Sequence, residues 1–210
     1  MLGTAGWFPP LLIAQGVTEI VATHGTPSAN PKLCATCHVN RFTVTDKLTG
    51  AFTFQSTGHN FHAIPCLDAS GKPTTGDCTV AERTFAACTA SGCHASEAAA
   101  RSAMLAGETT VDALVEQLND LLARVPATEF KTGDNKITTA EGAKFNVGLA
   151  TLPGQSVHNP FLVRTLLTAS IQQVQKDYGL ATQGQVLPSL SAEDIAAIRA
   201  RNAAAPAVRH

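Results

Sequence analysis

All six cysteines of this chain lie between positions 34 and 93, and five of its seven histidines fall between 24 and 94. The same region is rich in turn formers, as in "DASGKPTTGD" at 68–77, and has no long apolar periodicity. Such a stretch buries too little apolar surface to offset the entropy of ordering its backbone. Something other than a large hydrophobic core must organise residues 32–94, and the cysteines and histidines are the residue types available to hold it.

The clearest of these clusters is "CATCH", Cys34 to His38. Cys-x-x-Cys-His is the attachment pattern of c-type haem. Two thiols add across the two haem vinyl groups, and the adjacent His38 is thereby placed under the iron as proximal ligand. A zinc knuckle would need a second Cys or His pair at similar spacing and leaves His38 unexplained. A thioredoxin-like redox motif wants a βαβ setting, which the sequence does not offer.

The second cluster is "CTASGCH", Cys88 to His94, with four residues between the cysteines instead of two. Alone it is weak, since a disulfide loop can hold the same residues. The Cys-His order is kept, so His94 stands as His38 does. The intervening residues are small, which lets a wider loop arch over a haem edge. The histidine inventory also suits two haems better than one. Cys66 and Cys78 are not followed by histidine. The expectation for them is a disulfide closing the Gly/Pro turn, because covalent haem is assembled outside the cytoplasm, where disulfides persist. Metal ligation by this pair is the alternative.

Two haems with two axial ligands each need four strong donors. After His38 and His94 there remain His24, His59, His62, His158 and His210, with Met1 and Met104. Met104 sits in an Ala-rich helical stretch and is expected to pack. His210, the last residue, is expected to take no part. His158 precedes "NPFLVRTLL", where Asn159 is a good N-cap and Pro160 suits the first helical position.

The segments 34–38, 59–61, 88–94 and 158–167 together resemble multihaem c-type cytochromes of the exported kind used for extracellular electron transfer. Expanded Cys-x4-Cys-His sites occur in such proteins. "SVHNPFLVRTLL" is similar to their Gly-Val-His-Asn-Pro segment, and "GHNF" to another, each supplying a distal haem ligand. The resemblance implies two covalent haems c, with His59 and His158 as distal ligands and His62 and His24 next in line. Some members of that broad class polymerise into haem-lined filaments. Few haems for 210 residues and the expanded second motif are departures from it.

The remainder of the chain is read from pattern. Residues 1–31 form an apolar arm, 32–104 the haem-attachment region, and 105–210 a helical region completing the haem pockets within one compact domain. The arm lacks the basic start of a signal peptide. It is read either as a mature N-terminus after signal removal or as an arm docking on another subunit. Helices are expected from "SEAAARSAML", from an amphipathic run over 111–125 opened by a Thr109–Asp112 capping box, from 160–178 ending at Gly179, and after Ser191. The expected fold is mainly α with long loops and little strand, its core organised by haem.

A net charge of −1 without a Lys/Arg cluster argues against a nucleic-acid partner. No run of 18 apolar residues offers a transmembrane helix. Charged residues make up 15% of the chain, against roughly 25% in soluble domains. That scarcity suits an exported protein, or one covered by partners in a homo-oligomer or polymer. The expected function is electron transport rather than enzymology, because two bis-His irons leave no open coordination position. Redox partner proteins or an extracellular acceptor would receive the electrons. A dihaem peroxidase or reductase with one open haem, a soluble periplasmic shuttle, and a structural module in which haems only fill a core are the alternatives.

Overall fold

The computed structural model describes residues 3–22, 24, 34–39, 41–46, 48–56, 62–74, 77–90, 92–131, 133, 136–181 and 189–204. Along the chain the elements are α1 (Pro10–Ala14), α2 (Cys34–His38), β1 (Phe42–Thr45), β2 (Phe52–Ser56), β3 (Cys66–Leu67) and β4 (Pro73–Thr74). They continue with α3 (Ala86–Ala90), α4 (Glu97–Leu122), α5 (Thr139–Ala150), α6 (Gln155–His158), α7 (Pro160–Tyr178) and α8 (Ala192–Ala204). The protein is thus mainly α, with little strand. It divides into two compact units, Met1–Ala29 with Gly107–His210, and Asn30–Ala106.

The helical unit is centred on α7. Asn159 caps it by accepting from the Leu162 amide at 3.0 Å, Pro160 stands at the first position, and Gly179 closes it in the left-handed region at φ 63°. Its apolar residues fall in two rows at spacings of three and four, so both faces are buried. Val163, Leu167, Ile171 and Val174 pack with Val111, Leu114, Leu118 and Leu121 of α4 and with Ala140 and Ala143 of α5. Leu162, Leu166 and Ala169 pack with Leu12, Val17 and Ile20 of the N-terminal segment and with Ile195 and Ile198 of α8.

At α4, α5 and α8 the helix start is set by a side-chain oxygen. Thr138 and Glu141 form a reciprocal capping box on α5, and Ser191 with Asp194 does the same on α8. The expected box at Thr109 and Asp112 is not a helix start. Ser96 caps α4 instead, accepting from the Ala99 amide at 3.1 Å, and the helix runs unbroken past Thr109. No proline interrupts Glu97–Leu122, and the alanines and leucines around Thr109 favour propagation over a new nucleus.

The apolar N-terminal segment is consumed inside its own chain. Trp7 lies flat on α5 over Gly142, where a Cβ would come within 2.1 Å of the indole. Buried Asn146 accepts from the Trp7 amide at 2.8 Å, and its side-chain nitrogen donates to the Trp7 carbonyl at 2.7 Å and to Ser170 Oγ at 3.0 Å. Asn159, besides capping α7, donates to the Ile20 carbonyl at 2.9 Å. Asn202 on α8 accepts from the Val21 amide.

The Asn30–Ala106 unit is built differently. It contains only five of the 27 buried apolar residues found among those described: Val44, Cys66, Phe85, Ala87 and Ala100. Strands β1 and β2 form an antiparallel hairpin whose turn is held by Asp46 Oδ1, which accepts from the Leu48 and Thr49 amides. Strands β3 and β4 pair as a second small ribbon. Cys66 and Cys78 are joined in a disulfide across 12 residues. Arg83 bridges to Cys66 and donates from Nη1 to the Ile64 carbonyl, and the Thr84 amide donates to Pro65, so this loop is stitched to the segment that leads into α3.

Two measurements test this packing. Gly142→Ala should lower the melting temperature, at a cost of roughly 1–3 kcal/mol from overpacking against Trp7. Because Trp7 is the sole tryptophan, its emission should shift too; an unchanged melt and spectrum would refute the contact. Replacing Cys66 and Cys78 together by serine should cost about 3 kcal/mol in the chain-entropy model, read by urea denaturation. An unaltered midpoint would mean that the loop is held by its hydrogen bonds alone.

Candidate functional site

The first motif is itself helix α2, so Cys34 and Cys37 stand about one turn apart with His38 closing the element. Thr36 between them is buried, which fixes the face the helix turns inward. Its end is tied by the Val39 amide donating to the Ala35 carbonyl at 3.2 Å.

The expanded second motif reaches a comparable end by another path. Cys88 lies in α3, its amide donating to Phe85 at 2.9 Å, and the helix stops at Ala90. Gly92 then turns the chain at φ +75°, and the His94 amide donates back to the Cys88 carbonyl at 3.2 Å. The two extra residues are therefore absorbed in a left-handed glycine turn that returns His94 to the start of the motif. This is the position in the motif where the left-handed backbone favours glycine.

Helices α2 and α3 pack against one another, and with them the four thiols come into one neighbourhood. Burial pushes the Cys88 thiol up to about 11, with further contributions from Cys37, Glu97 and Cys93. Burial also raises the Cys37 thiol, followed by Cys93 and Cys34. Each motif thus feels the other's sulfurs. Thiols raised in this way hold their protons at neutral pH, the reverse of the low-pKa cysteines of disulfide oxidoreductases. None of the four is in a disulfide; Cys34 and Cys93 are exposed and Cys37 and Cys88 half-buried.

Among the described residues, no group of three or more His, Cys, Asp or Glu side chains is arranged to hold a bare metal ion. A half-buried histidine directly follows the second cysteine of each motif.

Glu97, at the first turn of α4, was not among the residues singled out from sequence. Its Oε2 accepts from the Phe85 amide at 2.6 Å and from Thr84 Oγ1 at 3.0 Å, which anchors the approach to α3. The signal for it was an acidic residue at a helix start just after the second motif, a position favoured by the helix dipole.

Of the sixth-ligand candidates, His59 lies outside the described residues, as does His210. His62 is exposed in the Asn30–Ala106 unit. His24 and His158 both belong to the helical unit, and the fold brings their chain segments together: His24 Nδ1 donates to the Val157 carbonyl at 2.9 Å. Because a carbonyl only accepts, Nδ1 carries a proton in this contact. Metal-ligating histidines commonly have their second nitrogen tied to a carbonyl in this way. His158 ends α6, and its ring packs over Gly154, where a Cβ would come within 3.1 Å of Cε1. Met104 is half-buried on α4.

No family model, curated protein or solved structure matches the chain. No helix among the described residues is long and apolar enough to cross a membrane.

The glycine turn gives a direct test. Gly92→Ala meets no atom within 4 Å, so only backbone strain opposes it. That strain should cost roughly 1–2 kcal/mol, whereas Gly92→Asn, which tolerates the left-handed region, should cost less. Denaturation midpoints that rank alanine at or above asparagine would refute the turn.

Proposed function

We propose that this protein is a dihaem c-type cytochrome that carries electrons, with haem c attached through Cys34 and Cys37 and through Cys88 and Cys93. The observation that carries the reading is the packing of α2 on α3 inside a unit that holds few buried apolar residues of its own. A 77-residue unit (Asn30 through Ala106) needs more apolar burial, or a covalent or metal staple, than the five buried apolar side chains and one disulfide found among its described residues supply. Two macrocycles would provide that surface.

Bound haem supplies a one-electron couple at iron. The chain's residues do the rest. The cysteines would fix each ring by two thioether bonds, with His38 and His94 as proximal ligands and His59 and His158 as distal ligands, His62 and His24 being next in line. Side-by-side motifs keep the two centres close, as rapid internal transfer requires. Histidine ligation on both sides of each iron would leave no position for a substrate, so the role would be transfer to a redox partner or extracellular acceptor and not catalysis. Bis-His ligation also favours a lower potential than Met/His ligation. Covalent haem attachment and the Cys66–Cys78 disulfide both suit an exported protein. Assembly into a polymer would then rest on the sparse surface charge, because the apolar N-terminal segment is occupied within its own helical unit.

Intact mass spectrometry tests the reading. The wild type should carry two haem additions, and Cys88→Ser with Cys93→Ser should carry one. A wild type without haem ends it. Visible and EPR spectra should show two low-spin irons; a stable high-spin iron would instead support the peroxidase or reductase alternative, which needs an open coordination position.

A further inference from the structure

Arg101 lies on α4, one turn beyond Glu97, within the Asn30–Ala106 unit. Its guanidinium sits over the Phe85 ring, 5.3 Å from the centroid, and Nη2 donates to the Arg83 carbonyl at 3.3 Å. Its Nε is shielded from solvent and has no hydrogen-bond partner among the described residues. A guanidinium carries five donors and a permanent charge. Leaving a buried part of it with one long hydrogen bond is costly unless an acceptor completes the site.

The nearest acid along the helix does not serve as that acceptor through its Oε2, which is engaged by Phe85 and Thr84. Phe85, beneath the guanidinium, lies three residues before Cys88 and accepts that residue's amide at 2.9 Å. The under-satisfied cation therefore stands beside the segment that bears the second attachment motif. Haem has two peripheral carboxylates, the kind of planar acceptor an arginine fork fits.

We propose that Arg101 binds a carboxylate of the haem attached at Cys88 and Cys93, and that its charge raises the potential of that haem. This assignment rests on the dihaem reading. Reduction adds one electron to iron(III) to give iron(II), with no bond made or broken in the chain. A nearby cation stabilises the added negative charge, so removing it lowers the potential. The two haems are then electrostatically unequal, with Arg101 favouring electron residence at the second.

The test uses the haem-loaded full chain, with dithionite as reductant in a spectropotentiometric titration of wild type, Arg101→Gln and Arg101→Lys. Peptide mass mapping first establishes haem at both motifs in each protein. Arg101→Gln should shift one midpoint potential downward and leave the other in place, and Arg101→Lys should restore most of the shift. Two unchanged potentials in fully loaded Arg101→Gln overturn the assignment, even if its melting temperature falls, because a purely structural contact with Phe85 predicts that result. A wild type with no haem at Cys88 and Cys93 overturns the dihaem reading itself. A variant that loads the first motif but loses haem only at the second, while keeping its helical circular dichroism, supports Arg101 as a haem-binding residue.

Discussion

The contact between α2 and α3 is the constraint on which the cysteine-bearing unit depends. Each is a helix of five residues, far too short to be stable alone. They exist because they lean on one another and on a small cluster around Val44 and Ala87. Around that contact the Arg83 bridge to Cys66 and the Glu97 carboxylate tie down the segment just before Cys88, and the disulfide joins Cys66 to Cys78. Covalent and polar links do here what aliphatic packing does in the helical unit.

That division of labour separates what was legible in the sequence from what was not. The start and end of α7 were readable because capping is local: Asn159, Pro160 and Gly179 each satisfy a backbone need within a few residues. The start of α8 after Ser191 was readable for the same reason. At Thr109 the same local pattern misled, because a capping box competes with a helix already propagating from Ser96. Helix α5 went unremarked although Thr138 and Glu141 spell its start; its small residues, Ala140, Gly142 and Ala143, gave no strong apolar stripe.

The site was legible as motifs but not as a neighbourhood. Spacing identified Cys34 to His38 and Cys88 to His94, yet nothing in the intervening 49 positions (39 through 87) announced that the two helices would touch. Long-range contacts of that sort depend on shape across the unit. Neither Glu97 nor Arg101 could be weighed from sequence, since an acid and a base four apart in an alanine-rich helix read as a solvent-exposed pair. Glu97 turned instead to the Phe85 backbone and left Arg101 to the aromatic face.

The threading of the N-terminal segment through the helical unit has a consequence for the order of events during synthesis. The Val21 amide finds its partner in Asn202, 181 residues later, and the Trp7 backbone and the Ile20 carbonyl meet Asn146 and Asn159 across separations of 139. The helical unit is thus discontinuous, with residues 30–106 inserted between its first and last parts. All four motif cysteines and both motif histidines leave the ribosome before most of the helical unit exists. Closing so long a loop is slow, so residues 30–106 can order while the N-terminal segment of the helical unit still waits for Asn146, Asn159 and Asn202.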